Sequence, residues 1–303
     1  MRRFLALLLA LLLLLPGCAG TPAETESTAA STTGATVYTF TKTLKVHFID
    51  VGQADCALLE CDNAFALIDG GNVDNGPAVV EYLELQGVQR LNLVVGTHPH
   101  GDHIGGLAAV LDAYPADNVW SSELTYYNST VYSFINGAKK QGKQLHFPQV
   151  GDTFQLGGAV ITMIGPVKRG YEDTNNLSLV LMVEYGDTRF LFTGDMERDA
   201  ELDVLDSGAD VKADVLKVGH HGSYSSTSYV FLRAVHPTYA VISVGRDNEY
   251  GHPHDAPMSR LMDADVIIFR TDQMNNIVAV SDGQDITFTW GNTDAAPWYP
   301  KAA

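Results

Sequence analysis

The stretch Thr97-His98-Pro99-His100-Gly101-Asp102-His103 constrains this chain more than any other. It places three imidazoles and one carboxylate within the run His98 to His103. Imidazole nitrogen and carboxylate oxygen are the usual ligands of zinc and related divalent ions. In extended backbone, residues i and i+2 point to the same side, so His98 and His100 can converge on one ion. Gly101 lets the chain turn sharply, and Asp102 and His103 can then face a second ion beside the first. Ten histidines in 303 residues would scatter if they served only surface and packing. Four potential ligands at this spacing mark a metal site instead.

The array reads His-x-His-x-Asp-His and resembles the signature of the metallo-β-lactamase superfamily. That resemblance implies a single mixed α/β domain, an αββα sandwich with a one- or two-metal site at one rim. It covers most of residues 43 to 290, and further runs narrow it. Phe48-Ile49-Asp50-Val51-Gly52-Gln53-Ala54-Asp55, Asn175-Asn176-Leu177-Ser178, Lys217-Val218-Gly219-His220-His221-Gly222-Ser223 and the segment Arg246 to Pro253 are similar to those of ComEC-type competence proteins. The resemblance implies that His98 and His100 hold one ion, and that Asp102, His103 and one histidine of the His220-His221 pair hold the other. Asp195, in Thr193-Gly194-Asp195, is implied as the carboxylate bridging both. His221 is the favoured ligand of the pair and His220 a proton donor beside the substrate, although the two assignments can be exchanged. His252 is a candidate to bind or protonate a leaving oxygen, and Asp102 belongs to the catalytic set as well as to the ligands. Asp69 matches the first acidic motif and is implied to support the metal loop by hydrogen bonding. Many superfamily members place a histidine where this chain has Asn175 to Ser178. The first ion is therefore short of a protein ligand, which Asn176 or Ser178 could supply as oxygen, directly or through water. Zinc is the expected metal; an oxygen-richer site raises the case for manganese.

The remaining pattern fits this frame. Leu44 to Gly52 alternates as a strand, Cys56 to Glu60 and Phe65 to Ile68 pair around Asp62-Asn63, and Gly76 to Leu85 reads as a helix with Pro77 in its first turn. Leu91 to Val95 is a buried strand leading into the metal loop, and a helix opens in Ile104 to Leu111 after two glycines. Val160 to Ile164, Arg189 to Phe192, Ala213 to Val218 and Tyr239 to Val244 read as further strands. Val266 to Phe269, Ile277 to Val280 and Ile286 to Trp290 are expected to close the second sheet. The tail, residues 292–303, is expected to be disordered from Thr293. Asp50 and Asp55 belong to the first of the ComEC-type runs, with simple turn chemistry as the alternative; Tyr126-Tyr127 to Tyr132 read as loop packing, with the substrate cleft the alternative, and His146 as structural, with a ligand role the alternative. Cys56 and Cys61, roughly 16 Å apart on an extended strand, read as small buried side chains on opposite faces.

The N-terminus has its own logic. Met1-Arg2-Arg3 is basic, Phe4 to Leu15 is nearly unbroken Leu and Ala, and Leu15-Pro16-Gly17-Cys18 follows. The apolar run is short for a bilayer span and fits a secretory signal. It resembles a bacterial lipoprotein box, which implies a signal peptide at residues 1–17 and lipid on Cys18. Residues 18–42, rich in Thr, Ala, Ser and Glu, read as a flexible tether, leaving the hydrolase domain at 43–291 as an extracytoplasmic protein of the cell membrane. The net charge of −17 argues against tight non-specific binding of duplex DNA. It does not oppose a brief encounter with an anionic substrate, because two dications reverse the local field.

The expected chemistry is hydrolysis by water activated between two dications, which also stabilise charge developing on a phosphoryl or acyl group. The ComEC-type resemblance implies a phosphodiester substrate, with single-stranded DNA a candidate. A lactam, an ester or a small phosphodiester is the alternative substrate. A surface binding protein with a structural metal and no turnover is the alternative class. No protein partner is legible.

Overall fold

Short runs rich in Val, Ile, Leu and Phe form the strands. The computed structural model describes residues 42–300. In chain order the strands are β1 Leu44–Phe48, β2 Ala57–Cys61, β3 Ala64–Ile68, β4 Leu91–Gly96, β5 Ala116–Ser121, β6 Thr153–Leu156 and β7 Ala159–Gly165. They continue with β8 Val180–Tyr185, β9 Thr188–Phe192, β10 Val215–Lys217, β11 Tyr239–Ile242, β12 Ile267–Arg270, β13 Ile277–Ser281 and β14 Ile286–Trp290. The helices are α1 Gly76–Leu85, α2 Gly101–Ile104, α3 Leu107–Ala113, α4 Ser129–Lys140, α5 Arg198–Asp206, α6 Tyr229–Val235, α7 Asp255–Asp263 and α8 Thr271–Met274. The signal, tether and Cys18 readings lie outside the described residues. No helix among the described residues is long and apolar enough to cross a membrane.

One sheet has the order β14-β13-β1-β2-β3-β4-β5, the other β12-β11-β10-β9-β8-β7-β6. Their inner faces meet in a dry core that includes Leu59, Ile161, Phe190 and the stacked pair Phe48–Phe192, with ring centroids 5.9 Å apart. Each such side chain contributes about 1.5–3 kcal/mol on burial. Residues of α1, α3 and α4 cover the outer face of the first sheet, and residues of α5, α6 and α7 that of the second. The result is the αββα layering. Cys61 falls in the inner core and Cys56 in the outer layer beneath the helices, and both thiols are free.

Strand polarity positions the site. β3, β4 and β5 run parallel, as do β9, β10, β11 and β12. Asp69 follows β3, the metal loop follows β4, Asp195 follows β9, and His220-His221 follow β10. Ligands gather outside the carboxyl ends of parallel strands, and here both sheets bring those ends to one rim.

Two expectations are corrected and one is refined. β13 and β14 do not close the second sheet: β13 pairs antiparallel with β1, so the chain returns to the first. β1 is central and β2 takes only one of its edges, so its other backbone groups require a partner. The helix expected after two glycines opens at Leu107 as α3, and the short α2 precedes it across Gly105-Gly106. There Gly106 N–H donates to Gly71 O at 3.0 Å, and a Cβ on Gly106 would overlap the Gly70 carbonyl. The segment after Thr293 is held in place. Trp298 exchanges backbone hydrogen bonds of 2.9 and 3.0 Å with Ile268, and Trp290 Nε1–H donates to Ala295 O at 3.0 Å.

Candidate metal centre

Asp69 is the hub of the metal loop. Its Oδ1 accepts from Thr97 N–H at 2.8 Å, and its Oδ2 accepts from Thr97 Oγ1 at 2.7 Å and from His103 Nδ1 at 2.8 Å. The residue is fully buried in a left-handed backbone conformation (φ 59°), which Asp tolerates better than most residues. Its role is to hold, as the sequence motif implied.

Two ligand groups meet at Asp195. The ligand atoms of Asp102, His103, Asp195 and His221 lie within 4.8 Å of one another, and so do those of His98, His100 and Asp195. In the first group the tautomers can be read from the partners. His221 Nδ1 lies 3.0 Å from Ser243 O, a carbonyl that can only accept, so Nδ1 carries the proton. His103 Nδ1 donates to Asp69. In each neutral ring the Nε2 lone pair therefore points into the site. His103 Nε2 is 3.2 Å from Asp195 Oδ1, while His221 Nε2 is 3.4 Å from Asp102 Oδ2 and 3.7 Å from Asp195 Oδ2.

That arrangement decides whether metal fits. Lone pairs facing carboxylate oxygens in a buried site repel unless a cation lies between them. His103 Nε2, His221 Nε2 and Asp195 Oδ1 are all buried and lack a hydrogen-bond partner. Tetrahedral zinc with ligands at 2.0–2.1 Å separates its ligand atoms by roughly 3.4 Å, which the distances here straddle. The donor set of two imidazoles and two carboxylates suits zinc or manganese. Electrostatics agree. Burial would raise the Asp195 carboxyl, yet His103 and His221 beside it hold it well below the usual range. Burial would lower His221, yet Asp195 and Asp55 push it up to about 10.

In the second group His98 Nε2 and His100 Nδ1 are 3.0 Å apart, and His98 Nε2 is 3.8 Å from Asp195 Oδ2. No third imidazole joins them within that group. Ser178 Oγ accepts from Asp195 N–H at 3.0 Å and lies 3.3 Å from His98 Nδ1. A proton on that Nδ1, donated to Ser178, leaves His98 Nε2 free toward the ion. Asn176 Oδ1 accepts from Glu197 N–H at 3.0 Å. Ser178 Oγ and Asn176 Oδ1 thus orient Asp195, Glu197 and His98, while Asn175 Oδ1 is buried without a partner.

The chain Gly219–Gly222 delivers two imidazoles from one strand end. His220 and His221 both take left-handed backbone (φ 48° and 52°), a conformation costing about 1–2 kcal/mol per residue. It splays the rings. His221 enters the ligand group, whereas His220 Nδ1 lies 3.2 Å from Glu197 Oε1 and its Nε2 3.7 Å from Asp195 Oδ2. His252 lies outside both ligand groups. Gly245 N–H donates to Gln53 Oε1 at 3.1 Å, which fixes the amide so that Gln53 Nε2 donates to His252 Nδ1 at 3.2 Å. His252 then keeps its proton on Nε2. Burial, with His221 and His220 nearby, pushes its pKa down to about 4.

Several residues at the centre were not legible as site residues. Asp55, with turn chemistry as its alternative reading, is buried, pairs with Lys217 Nζ at 2.7 Å and places Oδ1 3.2 Å from His221 Nδ1. Burial would raise it, but Lys217 and His221 hold it at about 2. A lysine within the apolar run Val215-Leu216-Lys217-Val218 was the available signal, since a buried ammonium requires a partner. Glu197 gave no such signal. Asp50 is a turn residue, its Oδ1 accepting from Gly52 N–H at 3.1 Å. His146 is exposed beside Asp152, away from the centre. Tyr126 is more than loop packing: its hydroxyl donates to Pro99 O at 2.7 Å and its ring stacks by His100, with centroids 6.3 Å apart.

The sequence profile of the Metallo-beta-lactamase superfamily matches residues 49–246. This chain belongs to that superfamily. Its His/Asp centre is able to bind metal ions, and its curated relatives include ComEC-like competence proteins. It is 29% identical over 251 residues to ComE operon protein 3 of Bacillus subtilis (strain 168), covering 77% of this chain and 32% of that protein. It is 33% identical over 225 residues to competence protein ComA of Neisseria gonorrhoeae, covering 74% of this chain and 30% of that protein. The chain therefore spans about a third of the length of these relatives. The crystal structure of YhfI from Bacillus subtilis, a metallo-β-lactamase fold protein, superposes with a TM-score of 0.54 at 14% identity, over 79% of this chain and 100% of that one. That likeness shows the shared fold.

Proposed function

We propose that this chain is a metal-dependent phosphodiesterase acting on nucleic acid at the outer face of a bacterial membrane, anchored there through lipid on Cys18. The observation that carries the hydrolase reading is the pair of buried lone pairs on His103 and His221, aimed at Asp195 and Asp102 without a partner. The phosphodiester assignment is supported by the competence proteins that the chain resembles. The membrane assignment is supported by the basic, apolar and cysteine-ended start of the sequence.

Asp102, His103, Asp195 and His221 would hold one ion, and His98, His100 and Asp195 the other. Divalent ions there supply Lewis acidity and neutralise charge at the phosphoryl group. The chain's own groups orient and gate the reaction. Asp69 and Ser243 fix the proton on Nδ1 of His103 and His221, which keeps Nε2 available. Ser178 holds the Asp195 backbone and His98 together. Glu197 and Ser225 orient His220, whose Nε2 faces the centre. His252, with its proton on Nε2, is a neutral hydrogen-bond donor for a phosphoryl oxygen rather than a base.

The test pairs elemental analysis of the purified chain with hydrolysis of bis(p-nitrophenyl) phosphate and of single-stranded DNA, beside Asp195→Ala. About two ions per chain and turnover that the variant loses is the expected result. Turnover of neither diester after zinc or manganese loading would overturn the reading.

A further inference from the structure

A cavity of about 580 Å³ opens one strand away from the metal loop. Its walls are chain neighbours of the centre. Ser121 and Ser122 lie at the end of β5, and Ser122 N–H donates to Gly96 O at 3.3 Å. Leu177 and Leu179 flank Ser178, and Leu179 N–H donates to Thr97 O at 2.9 Å. Tyr126, whose ring centroid is 6.3 Å from that of His100, is the chain neighbour of Tyr127 in the cavity wall, which joins the cavity to the His98–His100 side of the centre.

The lining has the chemistry of a base pocket. Tyr127 and Phe147 stand at its edge, 60% and 44% exposed, in a protein that buries most large apolar side chains. Leu124, Met163 and the two leucines give it an apolar wall. Ser122 is 3% exposed, and its hydroxyl has no partner, an unspent donor and acceptor in the wall. Lys168 and Arg169 border the cavity against the single acid Glu123 among the described lining residues. Lys168 pairs with Asp203, while Arg169 has no ion-pair or side-chain hydrogen-bond partner among the described residues. In a chain of net charge −17 this is an uncommon place for two cations. Volume, aromatic edges and a few polar groups are what a small-molecule or base site requires. Aromatic rings beside cations are what single-stranded nucleic acid requires.

We propose that this cavity takes an unpaired nucleobase of a single-stranded nucleic acid whose phosphodiester lies at the metal centre, with Tyr127 and Phe147 stacking on the base and Arg169 holding a neighbouring phosphate. The proposal rests on the phosphodiesterase reading. It also explains how an acidic protein accepts a polyanion: recognition falls on base faces, and duplex DNA, whose bases are stacked inside, is excluded.

The test uses the metal-loaded full chain, Tyr127→Ala and Phe147→Ala, and two substrates: a single-stranded oligonucleotide and the same strand with abasic sites. Both side chains are exposed, so neither variant threatens the fold. Each variant should lower kcat/KM on the intact strand about tenfold and change it less than about twofold on the abasic strand. The wild type should also turn over the abasic strand about tenfold more slowly. Equal effects of the variants on both strands, or none on either, would overturn the pocket while leaving the hydrolase standing. Failure of the wild type to hydrolyse any diester would remove the phosphodiesterase reading instead.

Discussion

Lys217→Met should destabilise the protein by about 3–5 kcal/mol, the cost of leaving one member of a buried ion pair without its partner. Lys217 and Asp55 have side chains 4% and 8% exposed, with Nζ 2.7 Å from Oδ2. At that distance the attraction is about 6 kcal/mol for an effective dielectric near 20. Desolvation of both charges offsets much of it, so the pair's net worth is small while the loss of one partner is large. The ammonium also donates to Val218 O at 2.8 Å, and that bond is lost too. Adding Asp55→Asn removes the stranded charge and should recover at least half of the loss. Urea unfolding in excess chelator, which removes stabilisation by bound metal, reads all three proteins on one scale. A cost below about 1 kcal/mol for Lys217→Met, or a double variant no more stable than the single, would refute the assignment of this pair as a structural strut behind His221.

Three further outcomes follow from other contacts. His47 is buried with its Nδ1 2.9 Å from the Tyr82 hydroxyl, and burial, with Lys45 nearby, lowers its pKa from 6.5 to about 4. The unfolded chain protonates it first, so about 3 kcal/mol of stability, fully present above pH 6.5, is lost as pH falls toward 4. His47→Gln should flatten that part of the stability–pH curve, and an unchanged slope would count against the assignment. Ser178→Ala removes the group shared by Asp195 N–H and His98, and should weaken one of the two metal equivalents about 10–100-fold. Titration calorimetry that finds both equivalents at wild-type affinity would exclude that positioning role. Gly106→Ala must push the new methyl against the Gly70 carbonyl and should cost about 1–3 kcal/mol, read as a fall in the thermal midpoint. An unshifted midpoint would show that the metal loop has slack there.

The layering and most of the ligand set were legible because both rest on short-range pattern. His98, His100, Asp102 and His103 share one loop, while alternation marked β1 and short apolar runs marked strands such as β4 and β9. What stayed hidden depended on contacts distant in sequence. β5 and β6 carry polar residues (Asp117, Asn118, Thr153, Gln155) that blunt the apolar alternation. The return of β13 to β1 pairs residues more than 200 positions apart, which no local period encodes. The two glycines before α3 were legible, but their reason, the close approach of the Gly70 backbone, was not. At the site, adjacent histidines could not be told apart until their left-handed backbone set the rings in different directions. Asp55 read equally well as a turn residue until Lys217 was seen beneath it. Glu197 acquires meaning only from His220 in three dimensions.

The antiparallel pairing of β1 with β13 also has a consequence for biosynthesis. β1 leaves the ribosome more than 200 residues before the strand that covers one of its edges. Until Ile277–Ser281 emerges, that edge offers unpaired backbone groups and invites wrong partners. A nascent chain halted after residue 246, with every proposed metal ligand already made, would still be an aggregation-prone intermediate. Maturation of the centre is therefore coupled to synthesis of β13 rather than to appearance of the metal motif.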